Sequence, residues 1–190
     1  MRSSKSLVSA ACVAAGLLLL GGCGALAEQH PGTLTIRVAR VTGTPDAPML
    51  ELGLDCRLSG PMQDALDHGI PLTLQIHIEA GRWRLLPADA RSDQRIELRY
   101  FPLSRRYQLR DLDAAADVRS FATPGYLLAG LNSLRLPLPA TFANLQRGTP
   151  VHVDAGLETA ALPGALRLPA LFEPAWQLSA VEYTWQPAPG

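Results

Sequence analysis

The chain has 190 residues, 47% of them apolar and 18% charged, with 17 basic groups against 17 acidic ones. A chain of this length buries roughly 70% of its unfolded surface, so its core needs neither disulfides nor a metal. The composition excludes a disordered acidic chain, a collagen-like repeat and a disulfide scaffold, and a formal net charge of +0 gives no electrostatic case for nucleic acid as a partner. Sixteen Gly and sixteen Pro argue against a helical bundle and for many turns.

The N-terminal residues read as a targeting segment. Arg2 and Lys5 form a positive start, and Leu7 to Leu20 is an apolar run of fourteen residues. That run is short for a bilayer span, which needs about 20 residues, so a secretory signal peptide is expected over residues 1–27 rather than a membrane anchor. Two cleavage readings stand open. Ala25-Leu26-Ala27 is an A-x-A site that leaves a chain beginning at Glu28; Leu20-Gly21-Gly22-Cys23 resembles a bacterial lipobox, with Cys23 as the lipidated residue. The expected compartment is the periplasm, with a lipid anchor on the second reading. Of the three Cys, only Cys56 remains after cleavage at Ala27, so no intramolecular disulfide is expected.

The body alternates as strands do. Leu34, Ile36 and Val38 alternate with polar residues over Thr33 to Val41. Leu50, Leu52, Leu54, Cys56 and Leu58 share one face of Met49 to Ser59, with Glu51, Asp55 and Arg57 on the other. Period two over this length predicts a half-buried strand. Pro61 to His68 reads as a short helix, capped by Ser59 and ended by Gly69. Pro71 to Ala80 follows as a strand, with Leu72, Leu74, Ile76 and Ile78 inward and Thr73, Gln75, His77 and Glu79 outward. Gln94 to Phe101 and Arg105 to Asp111 predict a hairpin around Phe101-Pro102-Leu103-Ser104. That four-residue loop sets Tyr100 opposite Arg105, Leu98 opposite Tyr107, Arg99 opposite Arg106 and Arg95 opposite Arg110. Thr123 to Leu134 predicts a second helix, with Thr123 as cap and Pro124 at its first position. Strands are expected at Val151 to Glu158 and Trp176 to Trp185, with loop or broken helix between them and a Pro-rich tail at 186–190. Short strands separated by turn signals predict a mostly-β single domain over 28–185. The expected form is an antiparallel two-layer β-sandwich with two short helices; the alternative is an α+β arrangement with helices covering an antiparallel sheet.

Several segments in this order resemble a known family. They are Ala65-Leu66 followed by Gly69-Ile70-Pro71-Leu72, Trp83 between two arginines, Leu98-Arg99-Tyr100, Tyr107-Gln108-Leu109, Leu162-Pro163 and Trp176-Gln177-Leu178-Ser179. Together they resemble a family of exported proteobacterial proteins classed as domain of unknown function 4390, over roughly Leu50 to Trp185. Pro124-Gly125 departs from the more regular helix of the family pattern. The resemblance implies export and a compact domain with no established activity; an association of its members with sensor histidine kinases implies a link to envelope sensing.

No catalytic constellation emerges. His77 and Glu79 share one strand face, and His152 and Asp154 another, so a metal site would need both pairs to converge; solvated polar faces are the plainer reading. His30 and His68 stand alone in the sequence. Ser120 and Ser179 lie outside any G-x-S-x-G elbow. Cys56 lies on an apolar face, where a thiol is inert packing. No P-loop or dinucleotide fingerprint is present, so no cofactor and no metal is expected.

Charge is distributed unevenly. Residues 28–81 carry net −4, residues 82–110 carry net +5, and residues 111–190 carry net −3. The basic band holds eight Arg beside Trp83, Tyr100, Phe101 and Tyr107, a composition typical of interface hot spots. Arg95, Arg99, Arg106 and Arg110 share one parity and, with Trp83, form the candidate binding set. The expected function is a non-enzymatic cell-envelope binding or accessory domain, whose partner is an envelope protein or an anionic envelope component. The alternatives are a hydrolase or metal-dependent enzyme with an unrecognised site, and a purely structural envelope lipoprotein.

Overall fold

The computed structural model describes residues 30–81, 88–114, 118–145 and 148–186. In chain order its elements are β1 (Thr33–Thr44), β2 (Ala47–Arg57), helix α1 (Gly60–Asp67), β3 (Leu72–Ala80), β4 (Ala90–Phe101), β5 (Arg106–Asp111), β6 (Val118–Phe121), helix α2 (Pro124–Gly130), β7 (Leu134–Pro137), β8 (Val151–Leu157), helix α3 (Gly164–Phe172) and β9 (Tyr183–Trp185). Short 3-10 turns fall at Leu131–Ser133, Ala140–Phe142, Thr159–Ala161 and Pro174–Trp176.

The strands form two antiparallel sheets, one in the order β1-β2-β7 and one in the order β6-β5-β4-β3-β8-β9. Apolar residues from both sheets join one core cluster, including Leu50, Leu52 and Leu54 from the first and Leu74, Ile76, Ile96 and Leu98 from the second. Buried Gln94 also links them, its Nε2 donating to the Pro137 carbonyl at 3.1 Å. The molecule is therefore a mostly-β sandwich, as its alternation predicts.

Several local expectations need correction. In β1 the register shifts between Ile36 and Val38, so Ala39 turns inward and Val38 does not keep the parity of Leu34 and Ile36. A bulge adds one residue to one strand and flips the face of everything after it. Thr73 is buried rather than outward; Glu158 N donates to its carbonyl, and the Thr159–Ala161 turn that follows packs against β3. The second helix starts where expected, with the Thr123 hydroxyl accepting from Tyr126 N, but it is only seven residues long. Its expected C-terminal part is a 3-10 turn followed by β7, because Leu134 and Leu136 pair with β2 and bury there. The stretch read as loop or broken helix contains α3. Of the strand expected over 176–185, only β9 forms a ladder; Gly156 and Ser179 make an isolated bridge before it.

Helix α1 follows its sequence signals closely. The Ser59 hydroxyl accepts from Met62 N and donates to the Ala175 carbonyl at 2.5 Å, tying the helix start to the Pro174–Trp176 turn. Pro61 sits in the first turn, and Gly69 follows the helix at φ 82°, a left-handed conformation that costs other residues about 1–2 kcal/mol. Met62 and Leu66 are fully buried beneath it.

Candidate anion-binding face

The β4–β5 hairpin carries four of the candidate residues. Its loop has four residues as expected, but the frame is Pro102 to Arg105, one residue later than predicted, with Arg105 at φ 52°. The pairs are therefore Phe101 with Arg106, Tyr100 with Tyr107, Arg99 with Gln108, Leu98 with Leu109 and Glu97 with Arg110. The expected Arg99–Arg106 and Arg95–Arg110 oppositions do not form. Cross-strand chemistry explains the choice: directly opposed like charges destabilise a hairpin, while aromatic and opposite-charge pairs each add a few tenths of a kcal/mol or more. The observed frame stacks Tyr100 on Tyr107 with ring centroids 4.6 Å apart and sets Glu97 against Arg110 at 3.7 Å.

All four arginines remain on the outward face, but they divide into two kinds. Arg95 donates to Asp113 at 2.9 Å through its guanidinium and at 2.7 Å through its backbone N–H. The hydrogen bond from Arg95 holds the Asp113 carboxyl below its ordinary range, and the same bond raises the Arg95 guanidinium. Arg110 has Glu97. Arg99 and Arg106 have no carboxylate partner among the described residues. Arg99 lies over the Phe101 ring, 5.0 Å from its centroid, and Arg106 Nε donates to the Ser120 hydroxyl at 3.2 Å. Because Phe101 stands directly opposite Arg106, Arg99, Phe101 and Arg106 are contiguous beside the Pro102 turn. Phe101 as the platform and Ser120 as the orienting acceptor become visible only with the register in hand. Trp83 and Cys23 lie outside the described residues.

The histidine pairs meet in register but not in chemistry. His77 stands opposite Asp154, and Glu79 opposite His152. His77 Nδ1 is engaged by Asp93 on β4, whereas His152 Nδ1 lies 3.0 Å from Glu182 and 3.1 Å from Thr184 on the other side. The two rings are engaged by different carboxylates, and no group of three or more His, Cys, Asp or Glu among the described residues could hold a metal ion. His68 lies on the surface beside the Asp64 carbonyl. On the three-stranded sheet a shallow recess of about 270 Å³ is lined by Arg40, Glu51, Asn132 and Arg135 among others. Glu51 sits between Arg40 at 2.8 Å and Arg135 at 3.9 Å, so its charges are matched locally.

A family model covers residues 32–186, almost the whole of the sandwich, under the description Domain of unknown function (DUF4390). The chain belongs to the DUF4390 family. No curated protein and no solved structure matches it. The DUF4390 match spans both sheets and the hairpin, so the arginine face is part of the family domain rather than an appendage to it.

Proposed function

We propose that this protein is a non-catalytic binding module of the cell envelope, exported by its N-terminal segment, whose β4–β5 hairpin takes an anionic group. One observation carries the reading: Arg99 and Arg106 lack carboxylate partners among the described residues, while Arg95 and Arg110 on the same face have theirs. Guanidinium forks suit phosphate or carboxylate oxygens bidentately, and the Phe101 ring holds one fork in place. Arg95 and Arg110 frame the site and are structural.

The test is Arg99→Gln together with Arg106→Gln. Retention on a polyanion resin at low salt falls about tenfold or more, the loss expected when charged hydrogen bonds worth about 1.5–3 kcal/mol are removed. Retention of the unaltered protein falls as salt rises, because exposed charges are screened over about 10 Å at 0.1 M. The melting temperature barely moves, as for other surface substitutions. A large drop in melting temperature with unchanged retention would make these arginines structural and end the binding reading.

A further inference from the structure

The connections at one end of the sandwich share an unusual surface. Gly32, at the start of β1, packs against Leu178 and the backbone of Arg57 and Ser59. Leu178 in turn accepts from Leu157 N at the end of β8. The same end holds α1, the Pro102–Arg105 turn packed over Gly69, the start of α2, and α3 with its flanking turns. Five of the seven large apolar side chains exposed among the described residues belong to these connections: Leu103, Tyr126, Leu168, Leu171 and Phe172.

Helix α3 makes the case sharpest. Leu166 and Ala170 pack inward, four residues apart. Leu168, Leu171 and Phe172 follow the i, i+3, i+4 spacing of a second face and are 67%, 62% and 78% exposed. A helix apolar on both faces is ordinarily enclosed. The only charged side chain within α3 is Arg167, whose Nε donates back to the Leu162 carbonyl. Three further arginines, Arg57, Arg105 and Arg106, lie at this end, all exposed. The exposed carboxylates here are Asp64, Asp67 and Glu173, and Asp67 is engaged by Tyr107 and Gln63.

We propose that this end of the sandwich docks on a phospholipid bilayer, with α3 and the Leu103 turn entering the interface. The position of the N-terminal segment selects lipid over a protein partner. Gly32 lies in the end itself, and only eight residues separate it from Cys23, which stands three positions after the last leucine of the apolar run. Nine steps along the chain reach roughly 30 Å at full extension, so any anchoring through Cys23 or the run before it keeps the end where Gly32 enters the fold within that distance of the membrane. Apolar helix faces flanked by Arg are the composition of interfacial helices, and Tyr126 and Phe172 supply the aromatic rings such surfaces use. The inference goes beyond the anion-binding reading and shares only Arg106 with it.

The experiment uses the full-length protein, processed by its producing cell and recovered in phospholipid vesicles, with an environment-sensitive fluorophore at Leu103→Cys, Phe172→Cys or Asp46→Cys. Quencher-bearing acyl chains should quench the first two several-fold more than the third. A tether alone leaves all three labels in water and equally unquenched, which overturns the proposal. A blue shift at residues 103 and 172 without lipid quenching means a protein partner or a second copy, and also overturns it. The triple variant Leu168→Ser, Leu171→Ser and Phe172→Ser removes only exposed groups; it should keep its melting temperature and lose the quenching at residue 103. Quenching that persists in Arg99→Gln with Arg106→Gln shows that docking stands even where the anion-binding reading fails.

Discussion

Cys56 sits on the inward face of β2, and its environment sets its chemistry. Burial pushes its thiol from an ordinary 9.0 up to about 12, and the neighbouring Asp55 carboxylate adds to the effect. The thiolate is the nucleophile, so Cys56 in the native protein should react slowly with a thiol reagent and quickly in denaturant, followed by mass on its peptide. Rapid native labelling would reverse the face assigned to β2. The shift also has a thermodynamic sign. The unfolded chain releases this proton near pH 9 and the folded chain holds it to about 12, so its contribution is complete below pH 9 and is lost as pH rises toward 12. Tyr107, pushed up to about 12 by desolvation and by its hydrogen bond to Asp67, adds a decline of the same sign above about pH 10. The melting temperature should therefore fall less steeply between pH 9 and 11 in Cys56→Ala than in the unaltered protein, the Tyr107 contribution being common to both.

Elements with local signals were legible in the sequence, and those made by pairing were not. Helix α1 shows the first kind: Ser59, Pro61 and Gly69 mark its start, first turn and end, and each does so in the fold. Ser59→Ala removes both the cap and the buried bond to Ala175, which should cost about 1–2 kcal/mol, read from chemical denaturation. Gly69→Ala should cost about 1–2 kcal/mol for its left-handed backbone, whereas an unchanged stability there would mean the turn relaxes freely. The strands β6 and β7 show the second kind, since four residues carry too little alternation to be recognised and exist only by pairing with β5 and β2. The β4–β5 register lies between these cases. Loop length could be read from Pro102, but the frame was decided by Tyr100 meeting Tyr107 and Glu97 meeting Arg110. The C-terminal window misled for a related reason: Trp176 and Leu178 bury in alternation, yet a chain touching the sheet through one bridge buries alternate side chains as a strand does.

At the scale of the whole molecule, the +5 band is smaller in space than in sequence. Arg91 lies 3.6 Å from Glu79 on β3, and Arg95 is bonded to Asp113; both acids fall outside residues 82–110 but beside them in the fold. Counting along the chain cannot see such partners, so four arginines of one parity reduce to a two-arginine site near the turn. The core is also shared across the sheets. Leu54 from the three-stranded sheet and Ile76 from the six-stranded sheet are both fully buried in one cluster, and α2 packs against both β2 and β5. A single core makes separate melting of the sheets unfavourable, since freeing either one would expose the apolar face of the other to water. Leu54→Ala and Ile76→Ala should each cost about 2–5 kcal/mol. Each should shift one common transition, with far-ultraviolet dichroism and tryptophan fluorescence changing together. Two separated transitions, with Leu54→Ala moving one and Ile76→Ala the other, would show that the sheets fold as independent units and that the anion face and the three-stranded sheet are uncoupled.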